Sequence, residues 1–178
     1  MTLHIQAAKS LAGVYLADFL NHQDERGAFF EVFKQSTLAH QLNWGPPVQL
    51  NVSQSAQGVI RGLHYQEAPF AQGKWVMCLQ GEIFDVVLDL RADSPTYGQW
   101  ESFLLQTPYQ AVLIPPGCAH GFEALAESNW VQYLVFCAEY HPEAERGVAY
   151  NDPSLAIPWR TRCAQVSPKD QQWPLLKI

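Results

Sequence analysis

Apolar and polar residues alternate with a period of two along much of this chain. The clearest case is Val48-Gln49-Leu50-Asn51-Val52-Ser53, with three apolar residues on one face and three polar residues on the other. Successive side chains of a strand point to opposite faces, so this pattern predicts a strand with one wet or ligand-facing side. Further strands are predicted over Phe29 to Phe33, Val59 to Tyr65, Trp75 to Gln80, Glu82 to Leu90, Trp100 to Leu105, Ala111 to Ile114 and Trp130 to Cys137. Turn signals such as Gln80-Gly81, Asp93-Ser94-Pro95 and Pro115-Pro116-Gly117 separate them. Helical spacing is scarce: Ser36 to Asn43, opened by a Ser or Thr cap, is the best helix, and the tail after Ser167-Pro168-Lys169-Asp170 is read as adding one turn. Short strands at this spacing point to an all-β antiparallel sandwich or barrel with a few short helices.

Composition narrows the picture. At 178 residues and 48% hydrophobic content, the chain is long enough to bury one good core. No Pro/Gly/Ser-rich or charge-rich linker divides it, so a single domain over residues 1–178 is expected. A net charge of −6 with eleven scattered Lys and Arg residues argues against a nucleic-acid partner, although a local pair of arginines would still hold an anionic small molecule. There is neither a charged segment leading an apolar one at the N-terminus nor an apolar run near twenty residues, so no membrane partner and a cytoplasmic location are expected. Cys78, Cys118, Cys137 and Cys163 are scattered without a C-x-x-C pair, which fits reduced, mostly buried thiols better than a disulfide framework or a zinc site.

The segment Gln57-Gly58-Val59-Ile60-Arg61-Gly62-Leu63-His64-Tyr65-Gln66 sets a cation and an imidazole three positions apart on an apolar strand. Strict alternation sends such residues to opposite faces, so they share a cavity only if Gly62 allows a bulge or twist; otherwise they are a surface arginine and a core histidine. Lys74 heads the next apolar strand, either as a solvated strand end or as an ammonium presented to a cavity. The stretch Ile114 to Phe122 carries the P-x-G-x-x-H spacing of the second cupin motif, in which the histidine binds a metal. The matching place for the first motif offers His64 alone, so a divalent ion would lack its usual three or four protein ligands, and no metal is expected. In Ile83 to Asp89, Asp85 and Asp89 lie on the face opposite Phe84, Val86 and Leu88. If that face lines an interior, Asp85 requires a partner, with an arginine as the default and a catalytic role as the minority reading.

Taken in order, these blocks resemble the dTDP-4-dehydrorhamnose 3,5-epimerase family. The resemblance runs from about Asp24 to Leu175, through Asp24-Glu25-Arg26-Gly27, Val48-Gln49-x-Asn51, Arg61 to Gln66, Gln72-Gly73-Lys74, Gly81-Glu82-x-Phe84-Asp85-Val86, Ser94 to Trp100, Ile114 to Phe122, Glu145-Arg146-Gly147, Asn151-Asp152-Pro153 and Ser167-x-Lys169-Asp170. It implies a double-stranded β-helix, the cupin-like jelly roll, without a catalytic metal or cofactor, and a homodimer whose N-terminal strand crosses to the neighbour. The implied substrate is a dTDP-4-keto-6-deoxyhexose. Its 4-keto group acidifies the C–H bonds at C3 and C5, so one base, one oxyanion stabiliser and one acid on the opposite face suffice to invert a centre. By the resemblance, His64 is the base, Asp170 orients its imidazole, Lys74 stands over the enolate oxygen, His120 lies near the sugar and Arg61 binds the diphosphate. Gln49, Asn51, Arg26, Phe29, Glu31 and Tyr140 match nucleotide contacts, with Arg26, Phe29 and Glu31 reaching the neighbour's site.

The acid is where the chain departs from the family pattern. Members carry a tyrosine, usually followed by lysine, in the strand after His-Gly-Phe. Counted forward from Phe122 the match is Tyr133, and counted back from Tyr140 it is Leu134. A one-residue slip reverses which side chains face the cavity, so Tyr133 is the acid if the extra residue is absorbed after it. If the extra residue lies between Ala126 and Asn129, Leu134 faces the site and the tyrosine is lost. The lysine is replaced by Leu134 or Val135, and the polar residue at the place of Leu50 is apolar here. The expected reaction is epimerisation of dTDP-4-dehydro-6-deoxy-D-glucose at C3 and C5. The alternatives are a single-centre epimerase or ketoisomerase and a non-catalytic nucleotide-sugar-binding module.

Overall fold

The alternating pattern is realised as two antiparallel sheets, seen in a computed structural model that describes residues 3–38 and 44–177. The chain opens with β1 (Leu3–Ala7), β2 (Tyr15–Phe19), β3 (His22–Asp24), β4 (Gly27–Phe29) and a single helical turn, α1 (Gln35–Leu38). It continues through β5 (Pro47–Ala56), β6 (Val59–Gln66), β7 (Gly73–Gln80), β8 (Glu82–Asp89), β9 (Trp100–Gln106), β10 (Gln110–Ile114), β11 (Cys118–Ala124) and β12 (Ser128–Phe136), and ends with β13 (Glu145–Gly147) and β14 (Gln165–Val166). One sheet has the order β1-β2-β10-β7-β12-β5 and the other β13-β6-β11-β8-β9, with β14 added parallel to β6. Strands adjacent in space are mostly not adjacent in sequence, because the chain winds between the sheets as a cupin jelly roll.

Alternation decides what each face buries. Val76 and Cys78 of β7, Val112 of β10 and Val131 of β12 meet Ile83 and Val87 of β8 and Phe122 of β11 in the core between the sheets. The intervening residues face outward and are covered in turn. Trp75, Met77, Leu113 and Phe136 pack under Leu38, Phe33 and Trp44 on the first sheet. Phe84, Val86 and Leu88 pack under Val148, Leu155 and Trp159 on the second. Strand β8 is therefore buried on both faces and sends Asp85 and Asp89 inward. Asp89 is held by Arg91, Ser94 and Thr96, whose hydrogen bonds outweigh the effect of burial and keep its carboxyl ionised far below the usual range.

Three expectations are corrected. The strand predicted over Phe29 to Phe33 is instead the end of a small β3–β4 hairpin, and beyond it Phe30 and Phe33 pack on Tyr109, Trp75 and Phe136, so their apolar character serves packing and not a ladder. The helix predicted over Ser36 to Asn43 is a single turn at Gln35–Leu38, and residues 39–43 lie outside the described residues. Of the four free cysteines, Cys137 and Cys163 are exposed. The turn expected in the tail is present at Asp170–Gln172. No helix among the described residues is long and apolar enough to cross a membrane.

Candidate active site

Between the two sheets lies a cavity of about 650 Å³, walled by β6 and β11 on one side and by β5, β7 and β12 on the other. Its first wall depends on a bulge. Strand β6 pairs His64 with His120 and Arg61 with Phe122, so Gly62 and Leu63 together oppose Gly121 alone. The extra residue resets the alternation: Val59 and Arg61 face the cavity, and so do His64 and Gln66, while Leu63 turns to the outer core. Gly62 is required there. It has φ +118, and a Cβ on it would lie 2.5 Å from the Gly121 Cα and 2.7 Å from the His120 carbonyl oxygen.

His64 Nε2 is 2.6 Å from Asp170 Oδ1, across 106 residues of sequence. A carboxylate only accepts, so the His64 Nε2–H is the donor. Asp170 also accepts from the Gly62 N–H and the Trp173 indole. Burial raises its pKa, but these bonds and the nearby His64 outweigh it and keep the carboxyl ionised. One strand away, His120 Nε2 bonds Asp85 Oδ2, also at 2.6 Å. Asp85 is thus paired with a histidine, not with the expected arginine. Arg61 is steadied by the Ser55 hydroxyl and the Gln54 carbonyl.

The opposite wall carries Lys74 and Tyr133. Lys74 Nζ reaches the His64 carbonyl at 3.5 Å, and burial brings its pKa down to about 8 despite the nearby Glu145 and Asp85 carboxylates. Tyr133 lines the cavity, with its ring edge-on to His120 at 6.1 Å and its hydroxyl 2.9 Å from Ser53 Oγ. Burial drives the phenol well above its ordinary pKa, against the Ser53 hydrogen bond and the charge of Arg61. The register question is answered: Tyr133 faces in, and Leu134 faces out among Trp75 and its neighbours. After the strand, Cys137 (φ 73) makes a tight turn closed by the Ala138 N–H to the Phe136 carbonyl. The two other departures face each other, since Leu134 pairs with Leu50 across β12 and β5, on the side away from Tyr133.

His64, Asp170, Lys74, Tyr133, Asn51, Arg61, His120 and Tyr140 therefore line one cavity. Gln49 stands behind it, donating to Asn51 Oδ1 and accepting from the Tyr140 N–H. Gln66 accepts from the His141 N–H and donates to the Glu139 carbonyl, and Gln72 donates to the Ala138 carbonyl. Three glutamines thus clamp the loop that presents Tyr140. Arg26 and Phe29 sit away from this cavity on the exposed β3–β4 hairpin, Arg26 paired with Asp24, and Glu31 follows the hairpin. Sequence reasoning missed Ser53, which shares Asn51's face two residues on, and the cluster in which Glu145 accepts from Lys169 and Tyr140 at the cavity rim. Among the described residues, no three His, Cys, Asp or Glu side chains converge as a metal would require.

Comparison with known proteins bears on this arrangement. A family model described as dTDP-4-dehydrorhamnose 3,5-epimerase matches residues 8–177. A dTDP-4-dehydrorhamnose 3,5-epimerase of Escherichia coli K12 is 41% identical over 152 residues, covering 84% of this chain and 82% of the relative. A dTDP-4-dehydrorhamnose 3-epimerase of Streptomyces niveus is 41% identical over 157 residues, covering 86% and 74%. The crystal structure of dTDP-6-deoxy-D-glucose-3,5-epimerase from Legionella pneumophila, in complex with dTDP-4-keto-L-rhamnose, superposes with a TM-score of 0.91 at 39% identity, over 97% of this chain and 92% of that one. With sequence and fold matched along nearly its whole length, the chain belongs to the dTDP-4-dehydrorhamnose 3,5-epimerase family.

Proposed function

We propose that this protein epimerises dTDP-4-keto-6-deoxy-D-glucose at C3 and C5 to give dTDP-4-keto-L-rhamnose. The observation that carries the reading is the placement of a histidine base and a tyrosine acid on opposite walls of one cavity, with a lysine beside the base. His64, oriented by Asp170, removes the proton from C3 or C5 on one face of the sugar. Lys74, charged at neutral pH, stabilises the enolate on the C4 oxygen. Tyr133 returns a proton from the other face, which inverts the centre. His120, fixed by Asp85, contacts the sugar. Arg61 binds the diphosphate, and Asn51, Gln49 and Tyr140 hold the nucleotide. No step calls for a cofactor.

The functional unit is a homodimer. Phe29 is 69% exposed and Arg26 stands beside it on a hairpin outside its own cavity, where a nucleotide in a neighbour's site gives both a role together with Glu31. Val48, Leu50 and Val52 form an exposed apolar stripe on the edge strand β5, suited to a second copy. The whole of residues 1–178 acts as one domain, and a sugar-nucleotide substrate sets the reaction in the cytoplasm. The test is turnover in deuterium oxide followed by NMR. Deuterium at both C3 and C5 of an inverted product is expected, label at one carbon identifies a single-centre epimerase, and no label at either carbon removes the proposal.

A further inference from the structure

Two inversions on one bound sugar raise a difficulty that one inversion does not. Under the function proposed above, on which this inference rests, the first inversion moves a proton from carbon to His64 and breaks the Tyr133 O–H bond as the new C–H bond forms. The site is left with an imidazolium and a phenolate, each in the wrong state for the second centre. Both must reset before the sugar departs.

Tyr133 has one hydrogen-bond partner among the described residues, the Ser53 hydroxyl at 2.9 Å. Ser53 sits on β5 on the same face as Asn51, lines the cavity and is half-buried, so it meets the phenol on one side and cavity solvent on the other. The next hydroxyl along that face, Ser55, is buried and occupied by the Arg61 guanidinium. The charged groups that the phenol feels, Arg61 and Asp85, make no hydrogen bond to it. A serine hydroxyl both donates and accepts, so it can pass a proton while receiving one.

We propose that Ser53 is the proton relay that resets Tyr133 between the two inversions. As its O–H proton passes to the Tyr133 phenolate, its oxygen takes a proton from a cavity water, and the hydroxide so formed is neutralised by the proton that His64 gives up. The sum is one proton moved from imidazolium to phenolate, with Ser53 and water regenerated.

The test follows the earliest turnovers in deuterium oxide, with substrate in excess, and measures the ratio of singly to doubly labelled sugar. Wild-type protein is expected to release mostly doubly labelled sugar. Ser53→Ala is expected to raise the single-to-double ratio about tenfold, since the relay is one acid–base step, and Ser53→Thr, which keeps a hydroxyl, to restore it. A Ser53→Ala protein that loses both labels equally, or keeps the wild-type ratio, overturns the relay and leaves the epimerase reading standing. Ser53→Thr behaving like Ser53→Ala overturns it too, by assigning the effect to shape. A wild-type protein that labels one carbon removes the need for the relay, and one that labels neither overturns both the relay and the function beneath it.

Discussion

Two histidine–aspartate pairs stand side by side on neighbouring strands, His64 with Asp170 and His120 with Asp85, each closed at 2.6 Å. Their surroundings differ. The His64 side chain is 29% exposed and that of His120 only 4%, while Asp85 is fully buried, with one oxygen lacking a hydrogen-bond partner among the described residues. Asp170 arrives from a late turn of the chain and is held by a backbone N–H and an indole, whereas Asp85 is an interior residue of β8 directly alongside β11. The same two residue types thus make an open pair that reaches the cavity solvent and a buried pair that meets the edge of Tyr133. Environment, not residue identity, separates the two.

The largest effects are expected at the open pair. His64→Ala is expected to lower turnover by about 10³- to 10⁴-fold, the upper range for general base catalysis, with dTDP binding largely kept; calorimetric titration with dTDP separates the two effects. Asp170→Asn, which keeps the ring but loses the charge behind it, is expected to cost about 10²-fold in kcat, the lower range for general base catalysis. At the buried pair the order reverses. Asp85→Asn is expected to lower stability by about 2 kcal/mol in urea unfolding while lowering kcat less than about tenfold, because it disturbs a buried charged hydrogen bond and not a proton acceptor. Lys74 adds a dependence on pH. With its pKa near 8 in the free protein, it is charged below that value and neutral above, so kcat/KM should fall as pH rises through about 8. Lys74→Arg, charged to beyond about pH 12, should lose that limb. The smallest effect is expected at the glutamine clamp: Gln66→Leu should raise KM a few-fold through the Tyr140 loop and leave kcat near the wild-type value, as steady-state kinetics would record.

Alternation made most of the ladder legible, since β5 to β10 and β12 carry enough contiguous pattern to mark a strand. Strand β11 is less legible, because it is buried on both faces, which erases the polar half of the signal. The β6 bulge was legible as a condition, because a cation and an imidazole three apart can share a face only around an inserted residue, and Gly62 was its evident place. The pairing of Asp170 with His64 spans 106 residues and came from family resemblance alone. The phase of β12 is open in the sequence because counts from Phe122 and from Tyr140 differ by one, and the turn at Cys137 between them has a backbone conformation that no local pattern announces. Ser53 was in view in the alternating segment, but its partner is 80 residues away, on a strand whose phase was undecided.

Base and acid working from opposite walls make a definite prediction for a Tyr133→Phe protein in deuterium oxide. With His64 intact and the opposite donor gone, the expected result is exchange of the substrate's C3 or C5 hydrogen with its configuration retained, because the proton leaves and returns on the His64 face. Inversion by Tyr133→Phe at the wild-type rate would contradict that arrangement.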